Sequence, residues 1–225
     1  MTATQANAPL PSVAQAYSRQ YDYVVSGARE NVKSLEICLK PASLNDLGLV
    51  HQWMNYPHVA EFWQQAWPEE KIAGYLEQQI NSYHNVMIVS VNQVPVAYTE
   101  LYPVIDDPLS KRCDHSAEDW GWHLLVGPPE FVGCGLTAAV GHAIVSYLLE
   151  HTIADEIFCE PDYANQRMIR FVSRLAHQDR GLIQLGEKCA RLMVCRREDF
   201  ETLSLPILTY TPVAGVEDDY IKEQL

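Results

Sequence analysis

Apolar and polar positions alternate with period two over several short runs and with period 3.6 over others. SLEICLK (34–40), NVMIVSV (85–91), PVAYTELY (95–102), WGWHLLVG (120–127) and DEIFCE (155–160) read as strands. Short β-branched and aromatic runs bounded by turn residues suit a pleated, buried surface. Asn92–Gln93 marks a hairpin, and LIQLG (182–186) with CARLMVCR (189–196) predicts a closing one.

Between the strands the spacing turns helical. Ser43 caps a helix running through Asn55, and Pro57–Trp63 forms a second. Pro68 takes a first helical position with Glu69 and Glu70 behind it, and that helix runs to about Ser82. Leu136, Ala139, Val140, Ala143, Ile144, Tyr147 and Leu148 recur at helical spacing and predict an amphipathic helix over 135–150. Asn165 caps one that ends near Ala176, and 106–119 is an acidic loop. Residues 1–33 read as an N-terminal extension, helical in part from Ser12 to Tyr21, and 201–225 as a loosely held acidic tail. The element order predicts a single mixed α/β domain over 34–200, with an antiparallel meander and one parallel crossover.

Composition narrows the function. The 225 residues are 48% hydrophobic and 20% charged, a globular composition able to bury a large core. A net charge of −13 argues against a general nucleic-acid binder. No run of 18 apolar residues and no basic, apolar leader is present, so no membrane association and a cytoplasmic location are expected. The six cysteines lack CxxC or zinc spacing, so reduced thiols and no metal are expected. Charge is uneven, however: 165–197 holds eight of the sixteen basic residues, while 106–119 holds five acids against two bases.

Four constellations can carry chemistry. Gly133-Cys134-Gly135 precedes the 135–150 helix, where glycines let free amides approach an anion, with Thr137 adding a hydroxyl. His123 shares a strand face with Gly121 and Leu125, and Glu160 and Asp162 end the next strand. Were those strands neighbours, a histidine and two carboxylates would converge for proton handling. His51, Trp53, Tyr56, His58, Phe62, Trp63 and Trp67 fit an apolar slot. Arg167, Arg170 and Arg174 share a helix face suited to ligand phosphates. The same residues also fit a tight turn, a core histidine, a helix–helix core and a solvated face.

HQWMNYPHVAEFW (51–63), AYTELYPVIDDP (97–108), EDWGWHLLVGPPEFVGCGL (118–136) and EPDYANQRMIRF (160–171) resemble, in order, the siderophore-biosynthesis branch of the GCN5-related N-acetyltransferase (GNAT) superfamily. The resemblance covers about 34–200. It implies a mixed, mostly antiparallel sheet whose central parallel strands splay around acyl-CoA, with flanking helices. The pyrophosphate would sit on Gly133, Cys134, Gly135, Leu136 and Thr137, and the pantetheine along Leu125 and Val126. Asn165 would lie near the thiol end and Arg170, with Arg167, beside the CoA. His123 and Asp162 take the positions of the proposed catalytic pair. Two positions depart from the wider superfamily, Glu130 standing for its Gln or Arg and Cys134 for a frequent Arg.

The expected reaction is direct transfer of an acetyl or succinyl group from CoA to the hydroxylamine nitrogen of an N-hydroxylated lysine, ornithine or diamine, giving a hydroxamate. His51, Trp53, Trp63, Trp122 and Glu160 are expected to line the acceptor site, with Glu100, helped by Asp106 and Asp107, holding its ammonium. A monooxygenase or synthetase of the same pathway is the expected protein partner. Acetylation of an aminoglycoside or polyamine, or a non-catalytic CoA-binding role, stays open as an alternative.

Overall fold

The computed structural model describes residues 16–26, 32–205 and 207–211. Among them nine strands form one sheet: β1 (Tyr17–Val25), β2 (Val32–Pro41), β3 (Asn85–Val91), β4 (Val94–Pro103), β5 (Trp120–Val126), β6 (Glu156–Cys159), β7 (Gln178–Leu185), β8 (Lys188–Arg196) and β9 (Leu208–Tyr210). Their spatial order is β7-β8-β6-β5-β4-β3-β2-β1-β9. Neighbours run antiparallel except β5–β6 and β1–β9.

Helices cover both faces. On one lie α1 (Leu47–Met54), α2 (Pro57–Trp63) and α3 (Glu69–Ile80), and on the other α4 (Thr137–His151) and α5 (Gln166–Ser173). Strand β3 shows why the sheet sits between two layers. Val86 and Ile88 join the α1–α3 core, whereas Met87, Val89 and Val91 join the α4 core, as alternation along a strand requires. No helix among the described residues is long and apolar enough to cross a membrane.

Local signals acted largely as expected. Asn92 and Gln93 take φ of 45° and 70°, the left-handed pair that matches a two-residue hairpin to strand twist. Ser43 and Asp46 form a reciprocal cap, but around a 3-10 turn, Leu44–Asp46, that precedes α1. The long helix starts at Thr137, two residues later than its periodicity suggested, because the glycine turn occupies 133–135.

Two terminal expectations are corrected. Tyr17–Tyr21, expected as helix, belongs to β1, whose alternating aromatic positions pack Tyr17, Tyr21 and Tyr23 on the core beside β2. Residues 12–15 of that expected helix lie outside the described residues. The C-terminal segment is not loose throughout: Leu208–Tyr210 lies parallel to β1 with Leu208 and Tyr210 buried. Residues 212–225 of the acidic tail lie outside the described residues.

The feature that positions the site is a gap between the parallel strands. β5 and β6 pair only at Trp120/Ile157 and Gly121/Phe158. β6 ends at Cys159, just before Pro161, which has no N–H for a ladder. β5 continues to Val126, so among the described residues its edge toward β6 lacks a partner strand beyond Gly121.

Candidate active site

β4 and β5 pair so that Glu100 stands directly opposite His123. Alternation puts Tyr98, Glu100 and Tyr102 on the β4 face that His123 shares across the ladder, and Glu160 follows β6 one position beyond Cys159. The imidazole is clamped between the two carboxylates. Its Nδ1 lies 3.2 Å from Glu100 Oε2 and its Nε2 2.6 Å from Glu160 Oε1. Both glutamates are buried, while a third of the His123 side chain faces the cavity (31% exposed).

Further hydroxyls fix the carboxylates. Tyr75 and Tyr98 donate to Glu100 Oε1 at 2.5 and 2.8 Å, and Tyr102 donates to Glu160 Oε2 at 2.7 Å. Lys188 Nζ lies 3.5 Å from Glu160 Oε1. Tyr102 reaches Glu160 only because residue 121 is glycine, since a Cβ there would stand 2.3 Å from the phenol ring. Trp63 meets the His123 ring edge-on at 6.3 Å.

Electrostatics make this a charged unit. Burial alone would depress the His123 imidazole, but the Glu160 charge and the hydrogen bonds to both carboxylates prevail and push it up to about 10. Burial likewise opposes ionisation of Glu160, yet the His123 charge, with help from Lys188 and Tyr102, holds it well below the usual carboxylate range. Glu100 is held down against burial chiefly by its bond to His123. At neutral pH the unit is therefore an imidazolium between two carboxylates.

The unit opens into a cavity of about 310 Å³ walled by Trp63, Gln65, Tyr75, Asp162, Met168 and Lys188, among others. Of the residues expected at the acceptor site, Trp63, Glu100, Trp122 and Glu160 line it. Trp122 is fully buried, however, and its indole donates to the neutral His177 at 3.3 Å. His51 and Trp53 do not line the cavity. Trp53 is core, packed so closely over Gly127 that a Cβ there would lie 2.2 Å from its ring. Asp162 lines the cavity, but its carboxylate accepts from Ala164 N at 2.8 Å within a turn, and Glu160 is the acid on His123.

Of the residues expected to hold CoA, Asn165 lines this cavity, and the 133–137 turn meets the C-terminal strand β9 instead. Leu125 is buried, and the Val126 carbonyl accepts from His58 Nε2 at 2.9 Å. Gly133 and Gly135 take φ of +83° and +94°, which aims the turn at the start of α4. Thr137 Oγ1 donates to Phe131 O at 3.1 Å and is thereby committed to the turn itself. Cys134 and Leu136 are buried. Asn165 lines the cavity and caps α5 by accepting from Met168 N at 3.0 Å. Arg167, Arg170 and Arg174 are exposed, and none has an ion pair among the described residues. Neither cysteine near the site is a poised nucleophile. Burial pushes both the Cys134 and Cys159 thiols up, and the Glu160 charge adds to it at Cys159.

Sequence reasoning missed Tyr75, Tyr98, Tyr102 and Lys188 as partners of the carboxylates. Alternation in Tyr98-Thr99-Glu100-Leu101-Tyr102 could have placed two of these side chains, Tyr98 and Tyr102, on one face with Glu100. Tyr75 and Lys188 come from distant elements and carry no comparable local signal.

A mixed sheet opened between two parallel strands, with a glycine turn leading from β5 into the helix that follows it, is the arrangement of an acyl-CoA-dependent acyltransferase fold. Residues 43–185 match the model of the acetyltransferase (GNAT) domain family, and the chain belongs to it. It is similar to an N-hydroxyputrescine acetyltransferase of Acinetobacter baumannii, 33% identical over 69% of this chain and 74% of that one. It is also similar to the lysine N-acyltransferase MbtK of Mycolicibacterium paratuberculosis, 32% identical over 56% of this chain and 58% of that one. Among solved structures, an uncharacterized protein of Bacillus halodurans is 28% identical at a TM-score of 0.73, covering 74% of this chain and 87% of that chain. An aminoglycoside acetyltransferase, AAC(6')-Ib, solved with coenzyme A shares the fold at 21% identity and a TM-score of 0.67, over 75% and 99% of the two chains.

Proposed function

We propose that this enzyme transfers an acetyl group from acetyl-CoA to the hydroxylamine nitrogen of an N-hydroxylated diamine, forming a hydroxamate of the kind siderophores use to bind iron. The observation that carries this reading is the charge of the cavity. Glu100, Glu160 and Asp162 line it, while its cations are the paired His123 and Lys188, the latter already beside Glu160. An acceptor with a free ammonium and no carboxylate suits that balance. The similarity to an N-hydroxyputrescine acetyltransferase supports the same acceptor class.

The nitrogen of the hydroxylamine attacks the thioester carbonyl, the C–N bond forms, and the C–S bond breaks as the tetrahedral oxyanion collapses. One proton leaves nitrogen and one joins the thiolate. An N-hydroxy amine is less basic than an alkyl amine, so it reaches the site largely neutral and needs positioning more than deprotonation. The nitrogen of the tetrahedral adduct is far more acidic than an ordinary ammonium, so even a carboxylate held as low as Glu160 can receive its proton. In this mechanism Glu160 takes that proton and the Glu100–His123–Glu160 unit returns one to sulfur. His123 is a relay fixed at both nitrogens. Asp162 contacts the acceptor ammonium at the cavity mouth. Backbone amides along β5 stabilise the oxyanion, and the free arginines of α5 meet the CoA phosphates.

An acceptor panel tests this with thiol release from acetyl-CoA. N-hydroxyputrescine and N-hydroxycadaverine are expected to exceed the parent diamines, N-hydroxylysine and N-hydroxyornithine in kcat/KM by at least tenfold. Equal or better turnover of the unhydroxylated amines or of an aminoglycoside overturns the reading.

A further inference from the structure

The C-terminal strand touches the turn expected to hold the CoA pyrophosphate. A Cβ built on Gly135 would lie 2.0 Å from the Thr209 carbonyl oxygen, so the two backbones meet where no other residue fits. Two residues on, Thr211 N donates to the Cys134 carbonyl at 2.9 Å. Tyr210 O accepts from Ser26 N at 2.8 Å, which ties the same strand to the end of β1. Leu208 and Tyr210 are buried, and Leu208 pairs with Tyr23 on β1. Both β1 and β9 fall outside the residues that match the family domain, 43–185. β9 ends on the turn.

We propose that β9, held by β1, is a positioning element of the acyl-CoA site: it clamps Cys134 and Gly135 and so fixes the direction of the turn's amides before CoA arrives. The inference rests on the reading that the 133–137 turn binds the CoA pyrophosphate. The turn needs such support. Gly133 and Gly135 both occupy left-handed backbone regions, and glycine in a short turn has the widest alternative conformations to lose. Without the clasp the amides sample those conformations, and binding must then order them. Thr209 and Thr211 act through their backbones and touch no reacting atom. Their loss is therefore expected in CoA affinity and not in acceptor recognition.

The experiment compares wild type with Thr211→Pro, Thr211→Ala and a truncation after residue 205. Proline removes the N–H that Cys134 accepts, and alanine keeps it. CoA affinity is read by calorimetry, and amide hydrogen exchange is followed across 132–138 in the absence of ligand. Thr211→Pro and the truncation are expected to weaken CoA about five- to tenfold, the worth of a lost hydrogen bond plus some ordering. They are expected to speed exchange in the turn and to leave the acceptor KM within twofold, while Thr211→Ala matches wild type. Should the truncated chain fail to fold, the proline–alanine pair carries the test. Unchanged CoA affinity and unchanged exchange in Thr211→Pro overturn the clasp. Wild type that binds CoA with no added exchange protection at 132–138 overturns the underlying assignment of the pyrophosphate turn instead.

Discussion

The clamped imidazole makes a measurable claim about one proton. His123 is pushed from 6.5 up to about 10, which corresponds to roughly 5 kcal/mol in favour of the imidazolium at 1.36 kcal/mol per pH unit. Two carboxylates share that preference, with Glu160 at 2.6 Å nearer than Glu100 at 3.2 Å. Replacing Glu160 by Gln keeps an oxygen for Nε2 and removes the charge. Burial then acts against Glu100 alone, and the imidazole is expected to lose its proton roughly two pH units lower. Because the folded value lies above the unfolded one, the stability the pair contributes is complete below pH 6.5 and disappears as pH rises toward 10. Histidine-labelled NMR across pH 5–11 reads the titration, and urea unfolding at pH 6 and pH 10 reads the linkage. The wild type should lose more stability over that interval than Glu160→Gln. A wild-type His123 that titrates near 6.5, or a titration that Glu160→Gln leaves in place, refutes the electrostatic account.

Other outcomes follow from the same geometry. Trp53→Ala removes a buried ring packed on Gly127 and should cost about 3–5 kcal/mol in thermal or chemical unfolding while leaving the acceptor KM unchanged in whatever folds. Asp162→Asn keeps the acceptor that Ala164 N needs, so kcat should stay within threefold while the KM for a cationic acceptor rises; a hundredfold fall in kcat would return Asp162 to the proton path. His142 and His177 are both pushed down to about 4, chiefly by burial. Each should therefore cost up to about 1.4 kcal/mol of stability per pH unit as pH falls from 6.5 toward 4, and a flat unfolding free energy over that range would contradict their burial as neutral rings. Succinyl-CoA brings a second carboxylate toward Glu100 and Glu160, so its kcat/KM should fall at least tenfold below that of acetyl-CoA.

Much of the fold could be read because it is written locally. Asn92–Gln93, the Pro57 helix start, the Asn165 cap and the periodicity of 137–151 each act within a few residues. The terminal strands were not legible. β1 pairs with β2 and β9, and β9 consists of three residues with no local strength, so only tertiary contact makes either a strand. The site divides the same way. Alternation put His123 on the face of Gly121 and Leu125, and the end of the next strand brought an acid to it. Which acid depended on where β6 stops. With the strand ending at Cys159 and Pro161 turning the chain, Glu160 still points inward, whereas Asp162 already serves the turn to Ala164. The aromatic cluster failed at Trp53 for a related reason. Its spacing specified a buried helix face, and packing on Gly127 used that face for core while Trp63 alone, one helix later, reached His123.

The acidic net charge acquires a structural sense once these positions are known. A net −13 spread evenly would repel an anionic acyl donor. Here the arginines of α5 are exposed, and Glu100 and Glu160 are turned inward around His123. In the proposed function the two fields serve different ligands: the exposed cations would attract the phosphates of CoA, and the inward carboxylates would favour an ammonium. A carboxylate placed at the turn before α4 would break that separation. Glu130 lies three residues before Gly133, so the proposed binding at the turn would rely on backbone amides and not on a side-chain cation. On the proposed pyrophosphate site, that makes the conformation of the 133–137 backbone, and whatever holds it, the expected determinant of donor affinity.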